Sequence, residues 1–132
     1  MLLARAPDED ARTLVNEWFA ERVIYDLAAD TASAESEGAS THVMARFRVQ
    51  RIRTDSAGEH VLSADGVPVT VGIYGGTPER RQLLARVRRR VLNGSVGVDT
   101  TVSGRATLVE VDPDIRLIDR DRSNNRLVLL RR

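Results

Sequence analysis

The chain has 132 residues, enough for one domain with a hydrophobic core, and its 42% hydrophobic and 30% charged residues are typical of globular proteins. It contains no cysteine, which excludes disulfides, thiolate catalysis and zinc–sulfur sites. The sequence has no apolar run long enough to span a membrane, and the opening MLLARAP is too short for a signal-peptide core, so we expect a soluble protein without a cleaved leader.

Charge is distributed unevenly along a chain whose formal net charge is only +1. All 20 basic residues are arginine, which the codon bias of a GC-rich genome explains better than a functional demand for bidentate contacts. Residues 1–37 carry nine acids and three arginines, a net charge of −6, whereas residues 38–132 carry seventeen arginines and ten acids, a net charge of +7. The two opposite charges either neutralise each other within one folded chain or allow identical copies to bind head to tail.

The first part of the sequence predicts an amphipathic helix over residues 7–27, followed by a loop. Pro7 and the three acids after it suit the first turn and the positive end of the helix dipole. One apolar stripe at helical spacing comprises Leu14, Val15, Trp18, Phe19, Val23 and Leu27. Residues 28–41, AADTASAESEGAST, show no periodicity, which predicts a flexible loop and a candidate contact element.

Two segments in the middle of the chain alternate apolar and polar residues, as half-buried strands do. Their apolar positions are Val43, Ala45, Phe47 and Val49 in residues 42–53, and Val67, Val69, Val71 and Ile73 in residues 67–74. Turn signals at 55–58 and 64–66 flank a short return strand that begins at 59–62.

Residues 78–92 follow a Gly75-Gly76 corner and predict a helix with a basic outer face. Thr77 can cap this helix and Pro78 fits its first turn. Its core-facing positions at helical spacing are Leu83, Leu84, Val87 and Val91. Its outer positions are Arg80, Arg81, Arg86, Arg88, Arg89 and Arg90. Asn93-Gly94 supplies the left-handed residues that end the helix.

The last third predicts short strands at 106–111, 115–118 and 126–130, with a hairpin turn at 123–125. Together the elements predict an α+β fold, with an N-terminal amphipathic helix and a small, mostly antiparallel sheet covered by helices. Residues 1–132 show no internal repeat or domain boundary, so we expect a single domain with a flexible loop at 28–41.

Motifs for catalysis or cofactor binding are weak. Gly75-Gly76-Thr77 resembles a phosphate-cradling corner, but the P-loop and the dinucleotide fingerprint are both missing. His42 and His60 lie in no metal motif, and no serine has a G-x-S-x-G setting. Four acids have the spacing of cation ligands but lack the EF-hand glycine and glutamate, which favours turn and surface roles: Asp112, Asp114, Asp119 and Asp121. We expect no enzyme activity, cofactor or metal.

A nucleic-acid-binding regulator is the main alternative among binding proteins. Six arginines on one predicted helix form an electrostatic footprint for phosphate groups. The net charge near zero and the lack of interleaved aromatic residues favour a solvated surface or an ion-pair interface instead.

Three segments resemble the tail terminator, or tail-completion, proteins of long-tailed bacteriophages: ARTLVNEWFAERV, PVTVGIYGGTPERRQLLARVRRRVL and IRLIDRDRSNNRLVLLRR. The resemblance implies a hexameric ring in the virion that is assembled in the host cytoplasm. Such a ring caps the tail-tube protein and joins it to the head–tail connector, or acts as another neck component. DNA passes through its lumen without specific binding, and no membrane is involved.

The charge division then predicts which residues form the contacts between subunits. The basic side consists of Arg80, Arg81, Arg86, Arg88, Arg89 and Arg90 on the predicted helix, with Arg46 and Arg48 on the predicted strand. The acidic side is either the first helix or the acidic loop at 28–41; on the helix its residues are Asp8, Glu9, Asp10, Glu17 and Glu21. Contacts between unlike surfaces of identical subunits form a closed ring when the rotation from each subunit to the next adds up to a full turn.

Overall fold

The described part of the chain forms two β-sheets that pack around one hydrophobic core. The computed structural model describes residues 23–117 and 119–131. Their strands are β1 (Val23–Glu37), β2 (Ser40–Asp55), β3 (Gly58–Leu62), β4 (Pro68–Gly76), β5 (Arg81–Arg90), β6 (Ser95–Ser103), β7 (Leu108–Val111), β8 (Arg126–Val128) and β9 (Leu130–Arg131). One 3-10 turn, Arg122–Asn124, is the only helix in the described part of the chain.

Sheet A is built around the long strand β2. β1 pairs with nearly the whole of one edge of β2. The other edge pairs with β6 along its first half and with β3 along its second half. β9 adds a short parallel pairing to β1, and every other pairing between named strands is antiparallel. Sheet B has the strand order β5-β4-β7-β8.

Alternation along the strands places the core between the sheets. The fully buried side chains of the central cluster include Tyr25, Leu27, Val43, Phe47, Val49, Val71, Ile73, Val96, Val109 and Val111. Both sheets contribute to this set, so each covers the apolar side of the other.

The prediction of an α+β fold with helices covering a sheet is therefore wrong. The described residues are nearly all β and contain no helix of seven or more residues. Each sheet buries its apolar side against the other sheet, so neither needs a helix to cover it. Residues 7–22 of the predicted first helix lie outside the described residues, and residues 23–27 begin β1 instead.

The predicted helix at 78–92 is a strand, β5, preceded by a hairpin turn. Thr77 accepts a hydrogen bond from the Arg80 N–H at 3.1 Å, as a helix cap would, but the chain turns back along β4. Val87 lies opposite the buried Val71. Cross-strand packing of this kind overrides the helical propensity of leucine and arginine.

Residues 28–41 form a hairpin, so the prediction of a flexible loop is wrong. β1 continues to Glu37, and Gly38, with a φ of +63°, lies in the turn before β2 begins at Ser40. Small polar side chains give the segment little hydrophobic periodicity, but its backbone pairs with β2 almost without interruption.

Residues 115–117 do not form the predicted strand at 115–118, and residue 118 lies outside the described residues. The Asp112 carboxylate accepts hydrogen bonds from the backbone N–H groups of Arg116 and Leu117, each at 3.0 Å. Backbone groups held by a side chain are not available to a strand ladder, so the segment is a loop.

The remaining strand predictions agree with the structure. β2, β3 and β4 confirm the strands at 42–53, 59–62 and 67–74, and β7 and β8 lie within the predicted 106–111 and 126–130. Asn93 and Gly94 have φ values of +53° and +74°, left-handed as predicted. They join β5 to β6 as a two-residue hairpin turn, since both central residues of such a turn need positive φ.

Candidate interaction surface

The six arginines between residues 80 and 90 lie on or beside an edge strand. β5 pairs with β4, and no described strand pairs with its other edge. All six side chains are exposed: Arg80, Arg81, Arg86, Arg88, Arg89 and Arg90. Charged residues on an edge strand oppose uncontrolled pairing with other chains, so solubility alone would explain some of this charge.

Arg81 is bound to a buried carboxylate on the outer side of sheet B. Its Nη1 donates to Glu110 Oε1 at 2.9 Å, and Arg126 Nε lies 3.8 Å from the other carboxylate oxygen. The Arg81 guanidinium also lies 4.4 Å from the centre of the Tyr74 ring. That ring lies across Gly72, where a Cβ would approach it to 2.7 Å. Arg81 therefore stabilises the fold of the sheet.

Other arginines of β5 also have partners within the chain. Arg86 Nη1 donates to Asp114 Oδ2 at 2.8 Å, and Arg90 Nη1 donates to the Gly66 carbonyl at 2.8 Å. Arg89 Nη1 donates to the carbonyl of the preceding residue at 2.9 Å. These contacts fix the positions of several guanidinium groups along the edge, while their exposure leaves them accessible to a partner.

Arg46 and Arg48 lie on a different surface, the outer side of sheet A. The odd-numbered residues of β2 from 41 to 49 are buried, so its even-numbered residues point away from the core. The facing residues of β1 and β6 share that side. We call this surface the open face; its residues are Ala28, Thr31, Ser33, Glu35, Glu37, Ser40, His42, Met44, Arg46, Arg48, Ser95, Gly97, Asp99, Thr101 and Ser103.

One end of the open face is acidic. Glu35 lies opposite His42 on the next strand, and His42 Nε2 lies 2.5 Å from Asp99 Oδ1. The hydrogen bond to Asp99 raises the pKa of His42 above its ordinary value, and the charges of Asp99, Glu37 and Glu35 act in the same direction. Within the described residues neither glutamate forms an ion pair with an arginine.

The other end of the open face is basic. Arg46 and Arg48 follow His42 on β2 by about 13 and about 20 Å, at the usual rise per strand residue. Both side chains are exposed, and neither has a hydrogen bond or ion pair with another described residue. Arg46 and Arg89 line a shallow depression of about 620 Å³. Gly97 also lines it, and a Cβ there would meet no atom within 4 Å.

The structure divides the predicted basic interface between two surfaces, the β5 edge and the open face. The predicted acidic side of the interface lies outside the described residues: Asp8, Glu9, Asp10, Glu17 and Glu21. The acidic segment at 28–41 was predicted as a contact element, but Glu35 and Glu37 were not singled out because the segment was predicted as a loop and not as a strand. The alternation of Ala32 and Ala34 with Ser33 and Glu35, just before Gly38, was the signal for a hairpin strand there.

The closely spaced acids of the last third hold loops together, although Asp119 was predicted to lie on a solvated strand face. Asp119 accepts hydrogen bonds from the Leu27 N–H at 3.3 Å and from Asn125 Nδ2 at 2.6 Å. Burial raises the pKa of the Asp112 carboxyl, and its backbone hydrogen bonds oppose that rise. In the described ranges, no three His, Asp or Glu side chains are grouped as a metal site requires.

Comparison with protein-family models, with curated proteins and with solved structures finds no match to this chain. Within residues 23–117 and 119–131, no helix is long and apolar enough to cross a bilayer. The aromatic side chains of those residues, Tyr25, Phe47 and Tyr74, are all buried. The described surface therefore offers arginines, carboxylates and small polar groups, together with five exposed aliphatic side chains: Val61, Leu83, Leu92, Ile115 and Val128.

Proposed function

We propose that this protein is a structural assembly protein of a virion, which forms a ring with copies of itself on the end of a phage tail tube. The ring caps the tube and joins it to the head–tail connector, and DNA passes through its lumen without specific binding. The observation that carries the proposal is the arginine-rich outer edge of β5.

An edge strand of this kind suits a protein partner. Its outer backbone groups can add a strand from another chain, and its guanidinium groups can bind carboxylates with two hydrogen bonds each. The resemblance to tail terminator proteins assumed a helix at 78–92. The proposal now depends on the charge and the exposed edge of the strand that the structure has in its place.

Multi-angle light scattering of the purified protein, alone and with the tail-tube protein, tests the proposal. We expect particles of several copies, or co-elution with tubes. A strict monomer that ignores tube ends would overturn it. The variant R80Q/R88Q should weaken tube binding. Its matched control has the same change in net charge at two exposed arginines on other elements: R53Q/R116Q. Equal loss in both variants would exclude a specific role for the β5 edge.

Binding of nucleic acid is the competing function, and a gel-shift experiment distinguishes it from ring assembly. With every described aromatic side chain buried, that part of the surface offers phosphate contacts and no platform for stacked bases. A salt-dependent gel shift that weakens when Arg86, Arg89 and Arg90 become alanine would favour a regulator. No shift at low salt would dismiss it.

A further inference from the structure

We infer that copies of this protein contact each other through the open face, with the acidic end of one copy against the basic end of the next. This inference rests on the self-assembly in the proposed function, and it names the surface and the groups involved. The acidic groups are Glu35 and Glu37, and the basic groups are Arg46 and Arg48.

The first observation is that opposite charges share one face without neutralising each other. Arg46 lies about 13 Å along β2 from His42, the neighbour of Glu35, which exceeds the Debye length of about 8 Å at physiological salt. Within the described residues, none of the four side chains that we assign to the contact has an ion-pair partner. Each group is exposed and available to a second molecule.

The second observation is that the face is complementary to itself. When two copies lie face to face with their β2 strands antiparallel, each Glu35–Glu37 end lies over the Arg46–Arg48 end of the other. A ring uses the same charges in another way, with the acidic end of each subunit against the basic end of its neighbour. If the two faces stacked with their β2 strands parallel, like-charged ends would lie over each other and repel, so the charges also select the relative orientation of the copies.

The third observation is a recess at the basic end that can admit a carboxylate. The depression of about 620 Å³ is lined by Arg46 and Arg89 and is open above Gly97. Asp99 also lines it, but its Oδ1 is hydrogen-bonded to His42. Small residues line much of the rest, so an incoming glutamate side chain meets little steric resistance.

Charge-reversal variants test the contact directly. In E35R/E37R both ends of the face are basic, and in R46E/R48E both ends are acidic. We expect self-association, measured by analytical ultracentrifugation, to weaken at least about tenfold in each variant alone. An equimolar mixture of the two variants should assemble again, because every contact in it is between opposite charges. The matched control R53E/R116E reverses two exposed arginines outside the face and should assemble like the wild type.

Each other outcome has a definite meaning. If the wild type assembles and neither variant changes its assembly, the open face is not the contact, and the proposed function stands. If the wild type is a monomer at every concentration and ignores tail tubes, both proposals fail. If R46E/R48E loses binding to DNA and mixing does not restore assembly, the basic end binds phosphate groups instead. Circular dichroism of each variant confirms that these exposed substitutions leave the fold intact.

Discussion

Glu110 shows how a single buried carboxylate organises the outer side of sheet B. Arg81 reaches it from the edge strand and Arg126 reaches it from β8, two strands that do not pair with each other. Only 8% of the Glu110 side chain is exposed, compared with 55% for Glu59, which pairs with Arg120 on the surface. The two ion pairs therefore allow a comparison of a buried acceptor with an exposed one.

We predict that Glu110→Ala lowers the free energy of unfolding by about 1–3 kcal/mol, because it removes a buried carboxylate that accepts a charge-assisted hydrogen bond from Arg81 and pairs with Arg126. The control Glu59→Ala should change it by less than about 1 kcal/mol, as is usual for surface pairs. Urea denaturation of the three proteins measures both values. Equal effects of the two substitutions would contradict the role assigned to Glu110.

His42 predicts a pH dependence of a definite sign. Because its pKa is raised in the folded protein, its ion pair with Asp99 stabilises the fold fully below the unfolded value of 6.5. That stabilisation is lost as the pH rises through the folded pKa. NMR titration should show the pKa of His42 fall towards 6.5 in Asp99→Asn. In the control Asp55→Asn, which removes the carboxylate that contacts His60 instead, the titration of His42 should be the same as in the wild type. An unaltered His42 titration in Asp99→Asn would show that Asp99 does not hold it.

At the scale of elements, the sequence was informative where a strand is buried on one side. β2 and β4 were predictable because burial imposes a period of two on their apolar residues. β5 was not, because Leu83, Leu84 and Val87 fit a helical stripe, and only β4 beside them favours the strand. The basic end of the open face was predictable because Arg46 and Arg48 alternate with the apolar residues of β2. The acidic end was not, because the second half of β1 has few large apolar residues to show such an alternation.

The turn between β5 and β6 gives a test of local geometry. Gly94 has a φ of +74° and a nearly open environment, so Gly94→Ala should cost about 1–2 kcal/mol through backbone strain alone. Gly97 lies three residues further on in open space, outside the left-handed region. Gly97→Ala should be neutral or stabilise by up to about 1 kcal/mol. Thermal unfolding of the two variants measures the difference. A loss of stability in Gly97→Ala as large as that in Gly94→Ala would contradict this account.

At the scale of the whole molecule, the two sheets have different surfaces and different tasks in the proposed assembly. In that assembly, sheet B would present the basic β5 edge to other virion subunits, and sheet A would present the open face to a second copy. Part of the charge division along the sequence thus corresponds to a separation of charges on the surface of the folded protein. In the described residues, Glu35 and Glu37 of β1 lie at one end of the open face and Arg46 and Arg48 of β2 lie at the other, where they can act between molecules.

Contacts of this kind make self-association sensitive to salt. Met44 is the one large apolar residue among those that define the open face, so hydrophobic burial contributes little there and ion pairs contribute most. We predict that the dissociation constant rises at least about tenfold between roughly 0.05 M and 0.5 M sodium chloride, because screening shortens the Debye length from above 10 Å towards 3 Å. Sedimentation equilibrium at each salt concentration measures this change, and circular dichroism verifies that the fold persists. Association that strengthened with salt would indicate an apolar contact, and the open face would then not be where copies meet.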